Sequence, residues 1–299
     1  MILYYPYMGQ KVQCKQVPIT FPPQHQPVQP GLEYLMHPRP IFDNPDYVGS
    51  CKLKDKVAII TGGDSGIGRA VALAFAKEGA DIAIVYFNEH QDANEIKTII
   101  ESKGRRCILI PGDLREEAFS KDIVNITLDK LGHIDILVNN AGVQFPQESI
   151  LDISAQQLDD TFRTNIYSMF YLTKAVLPHL NSGSTIINTT SVTAYAGNKE
   201  LIDYSSTKGA IASFTRSLAL SLVDKGIRVN GVAPGPFWTP LQPSSWSAEQ
   251  ITSFGLDTPM KRAGQPVELG PTYVYLASED STYTTGQIIH VDGGQFVGS

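Results

Sequence analysis

Cysteine is scarce in this chain: three residues, Cys14, Cys51 and Cys107, odd in number and far apart. Their spacing excludes a disulfide framework and a zinc site, so they read as reduced thiols and no metal is expected. No stretch reaches the ~18 uninterrupted apolar residues of a membrane span. The opening residues, MILYYPYMGQ, lack both a basic segment and an apolar run, which argues against a secretory signal. Basic charge is short as well. Twenty-four Lys and Arg against 30 Asp and Glu leave a net charge of -6, no footprint for nucleic acid or an anionic membrane. These absences lead to the expectation of a soluble, cytoplasmic protein with a small-molecule partner. Apolar residues are plentiful, 42% of 299, enough for a sizeable core.

Residues 1–50 hold nine of the 19 prolines and six glutamines, and their apolar residues follow neither a 2.0 nor a 3.6 period. They read as an extension, either a disordered tail or an ordered arm draped over a neighbouring subunit. Tyr34, Phe42 and Tyr47 favour order in its later half, because disordered tails are poor in aromatics. From Lys56 onward, seven β-branched runs (KVAIITGG, DIAIVYF, RCILIPGD, IDILVNNAG, STIINTTS, IRVNGVAPG and QIIHVDGG) alternate with stretches of helical period. Such alternation predicts a parallel sheet covered on both faces. Residues 51–299 are therefore expected to form one α/β domain, a doubly wound Rossmann-type parallel sheet of about seven strands.

The first run ends in Thr61-Gly62-Gly63-Asp64-Ser65-Gly66-Ile67-Gly68 and turns directly into a helical pattern. Glycines there let backbone N–H groups and a helix N-terminus approach a pyrophosphate that side chains would block. Other strand ends point the same way, because open α/β sheets bind ligands beyond their carboxyl edges. Asp113 ends the third run, and Asn139-Asn140-Ala141-Gly142 end the fourth. Taken singly, each is as easily a turn residue.

Tyr204 and Lys208 are four apart at the start of a helical stretch, so they share a face. A phenol titrates near 10, too high for easy proton transfer at neutral pH, and a neighbouring ammonium favours the phenolate. A spacing of this kind also arises by chance. Its context is what counts: Ser191, thirteen residues earlier at a strand end, has a hydroxyl able to polarise a carbonyl oxygen. Asn165 interrupts the apolar face of LDDTFRTNIYSMFYLTKAVL, a position too polar for a plain core helix.

Over residues 51–299 the chain resembles the short-chain dehydrogenase/reductase family in five motifs: the TGxxxGxG turn, the NNAG run, the lone asparagine, the serine with YxxxK, and Pro234-Gly235. The glycine spacing is similar to the family's simple subclass. The proline-rich extension resembles that of a bacterial branch labelled general stress or glucose/ribitol-dehydrogenase-like. The resemblance implies an NAD(P)-dependent oxidoreductase acting on CH–OH groups of a small alcohol, aldehyde or polyol. It implies that Tyr204 exchanges the substrate proton and Ser191 steadies the substrate oxygen. Lys208 would bind the nicotinamide ribose and acidify Tyr204, while Asn165 holds a water that relays protons from Lys208. It further implies that Gly62, Gly66, Ile67 and Gly68 surround the pyrophosphate, and that Asp113 and Leu114 flank adenine. Asn140, Ala141 and Gly142 would line the adenosine side, and Pro234, Gly235, Phe237 and Thr239 the nicotinamide. A homotetramer is implied as well, with the helices of Asn165 and Tyr204 packed against a partner.

The cofactor's 2′ group is less plain. NAD-preferring relatives place an acid at the end of the second strand, where this chain has Tyr86, Phe87 and Asn88. NADP-preferring relatives place a basic residue there or before the second glycine, where Ser65 follows the acidic Asp64. A 2′-phosphate beside Asp64 would lack a partner, so the reading leans to NAD. Substrate choice is expected to reside in Gln144, Phe145, the turn 192–198 and a lid over 238–262, with Trp238 and Trp246 excluding water. Two rivals remain: a 3-oxoacyl-carrier-protein reductase, disfavoured by the negative net charge, and a non-catalytic dinucleotide sensor, which would be expected to lose Tyr204 or Lys208.

Overall fold

All seven β-branched runs form strands, and their side chains alternate between two buried layers as the period of a strand requires. The computed structural model describes residues 8–12 and 15–298, with side chains from Val17 onward, so Cys14 lies outside the described residues. A hairpin, β1 (Met8–Val12) and β2 (Lys15–Pro18), precedes the sheet. Then follow β3 (Val57–Thr61), α1 (Gly66–Lys77), β4 (Asp81–Tyr86), α2 (His90–Ser102), β5 (Cys107–Pro111), α3 (Glu117–Leu131) and β6 (Ile136–Asn139). The second half holds α4 (Ala155–Phe162), α5 (Ser168–Val176), β7 (Thr185–Thr189), α6 (Thr193–Ala196), α7 (Ile202–Leu222), β8 (Arg228–Pro234), α8 (Ala248–Ile251), α9 (Gly270–Ala277) and β9 (Ile288–Val291).

The sheet order is β5-β4-β3-β6-β7-β8-β9, every pair parallel. The order reverses between β3 and β6, which opens a crevice at their carboxyl ends. Ala58, Ile60, Ile82 and Ile84 face one layer with α1, α2 and α9; Val57, Ile59, Ala83 and Val85 face the other with α3, α5 and α7. This is the Rossmann-type single domain expected.

The described part of the extension packs on its own chain. Phe21 stacks on Trp238 with ring centroids 3.8 Å apart, and Met36, Ile251 and Ala263 complete this small core. Backbone bonds fix the same segment: Gln26 N–H to Pro243 O at 2.7 Å, and Val267 N–H to Ile41 O at 2.9 Å. Among the described residues, no helix is long and apolar enough to cross a membrane.

Candidate active site

Ser191, Tyr204, Lys208 and Asn165 converge at the carboxyl ends of β6 and β7. The end of β7 is tied to α7 by the Thr190 hydroxyl, which donates to Lys208 O at 2.7 Å. Ser191 follows at once; its hydroxyl accepts from Thr193 N–H at 3.1 Å and acts on the nearby Tyr204 phenol, drawing it down. Lys208 Nζ donates to Thr189 O at 3.0 Å and lies 5.3 Å from the Tyr204 ring centroid. Asn165 is fully buried on a π-helical turn, Arg163–Tyr167, that separates α4 from α5. Such a turn shifts the backbone out of helical register, a device frequent at functional sites. The Asn165 amide accepts from Val143 N–H at 2.8 Å and donates to Val143 O at 2.9 Å and Thr207 Oγ1 at 3.2 Å. A Cβ on Gly142 would stand 3.3 Å from Asn165 Oδ1 and 3.6 Å from Lys208 Nζ, which shows how closely these groups pack around that position.

Burial governs the ionisation of this group. It raises the Tyr204 phenol to about 12 against the opposing pull of Ser191, and lowers the Lys208 ammonium to about 8. In the protein alone, therefore, burial decides the direction for the phenol. A further positive charge beside the phenol is what would bring it down.

From Gly142 a groove of about 280 Å³ runs along the crevice over the glycine turn to the end of β4 and β5. Gly62, Asp64, Ser65, Gly66, Ile67, Tyr86, Asp113, Leu114, Asn140, Ala141, Gly142 and Thr239 all line it. The turn is built for close approach. Gly62 and Gly66 have φ of +62° and +50°, and a Cβ on Gly68 would meet Gly62 O at 1.9 Å. The Asn140 amide donates to Thr61 O at 3.0 Å, joining β3 to β6 across the switch. These features fit a dinucleotide, with the pyrophosphate at the N-terminus of α1. A buried atom also awaits a partner: Asp64 Oδ2, on the groove wall, has none among the described residues.

Other expected residues fall elsewhere. Pro234, Gly235 and Phe237 do not line the groove; the Phe237 ring turns to Gly264 and faces a second cavity. Asn88 is exposed and does not line the groove, while the next residue, Glu89, is buried on its wall. Glu89 accepts from Asn88 N–H at 2.8 Å and Phe87 N–H at 3.1 Å, and burial raises its carboxyl. Burial and Glu89 together push Asp64 well above the usual carboxylate range. An acid is thus present near the second strand, three residues beyond the end where it was sought. Its signal was its place immediately before a helix. Arg115 supplies a cation on the same groove, bonded to Asp113 at 2.7 Å and Asp160 at 3.0 Å. Gln29, Pro30 and Gly31 of the extension also line it, which composition did not foretell. Trp238 departs from its expected role: it is fully buried, its indole N–H donating to Pro38 O at 2.8 Å, so it holds the extension instead of shielding the site.

The family model described as enoyl-(acyl carrier protein) reductase matches residues 62–295. General stress protein 39 of Bacillus subtilis is 58% identical over 280 residues, 94% of this chain and 98% of the relative. The chain belongs to the short-chain dehydrogenase/reductase family. As a member it is an oxidoreductase that transfers hydride between a nicotinamide dinucleotide and a small substrate. NADPH-dependent aldehyde reductase 1 of Arabidopsis thaliana is 51% identical, covering 92% of this chain and 98% of the relative. Glucose and ribitol dehydrogenase of Daucus carota is 50% identical, covering 93% and 97%. A short chain dehydrogenase from Burkholderia cenocepacia, solved in complex with NADP, superposes with a TM-score of 0.76 at 29% identity, covering 81% of this chain and 98% of its own. These relatives give the lean toward NAD no support.

Proposed function

We propose that this short-chain dehydrogenase/reductase interconverts a small aldehyde or polyol with its alcohol or carbonyl partner, with Tyr204 as general acid and base. The observation that carries the reading is the buried Tyr204, its ring centroid 5.3 Å from a Lys208 ammonium that is held on Thr189 O. The bound dinucleotide would supply or accept the hydride and, when oxidised, a positive charge. In reduction, Tyr204 Oη gives its proton to the substrate oxygen, which the Ser191 hydroxyl orients. In oxidation the same oxygen takes that proton back. Lys208 would bind the nicotinamide ribose and, with the dinucleotide's charge, bring Tyr204 down from about 12. Asn165 would hold a proton-relaying water near Lys208.

Kinship with an NADPH-dependent aldehyde reductase and with a glucose and ribitol dehydrogenase supports this substrate class. The 2′ choice has arguments on both sides. Asp64 and Glu89 on the groove favour a free ribose hydroxyl, whereas relatives are described with NADPH and NADP. A carrier-protein thioester is the second reading, favoured by the description of the family model. We further propose a homotetramer and action in the cytoplasm.

The test is a panel of aldehydes, polyols and an acetoacetyl thioester, assayed with NAD(H) and NADP(H) in parallel. Tyr204→Phe is the blank, expected to lose at least about 10³-fold in kcat. Near-full activity in that variant would overturn the mechanism, and fastest turnover of the thioester would overturn the substrate class.

A further inference from the structure

The N-terminus of α1 has an unusual cap. Its own N-cap residue, Ser65, makes no side-chain capping bond. The bond comes instead from Glu33, in the extension, whose Oε2 accepts from Gly66 N–H at 2.6 Å. The other oxygen, Oε1, accepts from Arg69 Nη1 at 2.7 Å. Arg69 in turn donates through Nε to Asp64 O at 2.9 Å and through Nη2 to Asp92 O at 2.7 Å. Asp92 closes the circuit by accepting from Glu33 N–H at 2.7 Å and Tyr34 N–H at 3.0 Å. Glu33, Arg69 and Asp92 are all fully buried.

Two backbone groups of the glycine turn, Asp64 O and Gly66 N–H, are therefore held from outside the turn by one buried ion pair. A positive-φ glycine has many other conformations open to it, so a turn of this kind gains shape only from what grips it. Helix geometry leaves the first N–H groups of α1 without intrahelical acceptors. With that of Gly66 taken by Glu33, those of Ile67 and Gly68 remain for an anion. A carboxylate so near a pyrophosphate site would repel its ligand if uncompensated. Here Arg69 lies against both Glu33 and Asp92, and Arg39 approaches the same two acids at 3.7 Å and 3.6 Å while pairing most closely, at 2.6 Å, with the half-buried Glu95.

We propose that Glu33 is a positioning residue for dinucleotide binding: from the extension it fixes the Gly66 turn in the shape that receives the pyrophosphate. This rests on the reading of the groove as a dinucleotide site. It makes the extension part of the cofactor site of the same chain.

The experiment titrates NADH and NADPH into the wild-type protein and into Glu33→Ala and Glu33→Gln by fluorescence, with kcat measured at saturating dinucleotide. Glu33→Ala is expected to raise Kd roughly tenfold while kcat stays within about twofold, since the lost bond is charge-assisted but remote from the hydride step. Glu33→Gln retains an acceptor for Gly66 N–H and is expected to fall between. An unchanged Kd in folded Glu33→Ala overturns the proposal; absence of dinucleotide binding in the wild type overturns the functional reading instead. Removing one member of a buried pair threatens folding, so amide exchange is measured on the unmodified apo protein as well. Gly66 N–H should be protected there. Exchange of that amide at the rate of an open loop would sink the idea without any variant.

Discussion

Lys208 carries a charge at a cost. It is 3% exposed, its ammonium donates to Thr189 O, and burial brings it from 10.5 to about 8. That shift corresponds to about 3 kcal/mol of lost solvation at neutral pH. Lys208→Met is expected to abolish turnover and yet stabilise the apo protein by roughly 1–3 kcal/mol at pH 7, less whatever the Thr189 bond contributes. The cost is full below pH 8, where folded and unfolded lysine are both protonated, and fades as pH rises through 8 toward 10.5. Denaturant midpoints of the pair should therefore converge between pH 7 and pH 10. A gap independent of pH would show that solvation of Lys208 is not the cause. At this scale the sequence was most readable where chemistry demands a residue type: Tyr204, Lys208, Ser191 and Asn165 meet in space. It was least readable where burial decides. Neither the upward shift of Tyr204 nor the role of Glu33 has a local signature, because both depend on what lies overhead.

Among the elements, the strands announced themselves, since strands buried on both faces read as nearly continuous apolar runs, as in VAII of β3 and IAIVY of β4. The stretch read as one helix around Asn165 breaks instead into α4, a π turn and α5, a distinction invisible to a period of 3.6. The extension was the hardest part, because its order comes from partners more than 200 residues away, such as Trp238 for Phe21. Phe21→Ala removes a fully buried ring and should weaken docking of the extension by about 3 kcal/mol. That would raise its undocked population, and with it chymotryptic cleavage after Tyr34, roughly 100-fold. Cleavage at the wild-type rate would mean that the stacked pair does not hold the segment.

For the molecule as a whole, apolar side chains remain exposed along α4, α5 and α7: Leu158, Phe170 and Leu220 are 44%, 52% and 80% accessible in the single chain. Tyr167, on the π turn that carries Asn165, adds to the same surface at 41%. These are the helices expected from family resemblance to pack against a partner, and a single sequence shows only that they have apolar faces to spare. If the proposed tetramer is right, sedimentation velocity should find four chains of 32.7 kDa in one particle, and Phe170→Glu should shift it to smaller species at micromolar concentration. A wild-type monomer would refute the assembly.

Both tryptophans of the chain, Trp238 and Trp246, lie where the extension crosses the segment 238–262, one under Phe21 and the other with its carbonyl bonded to His25. Their ultraviolet emission is thus an internal gauge of whether that crossing is closed or wet. The red shift that follows water's access to Trp238 requires no label, and it can be watched while a dinucleotide enters the groove below.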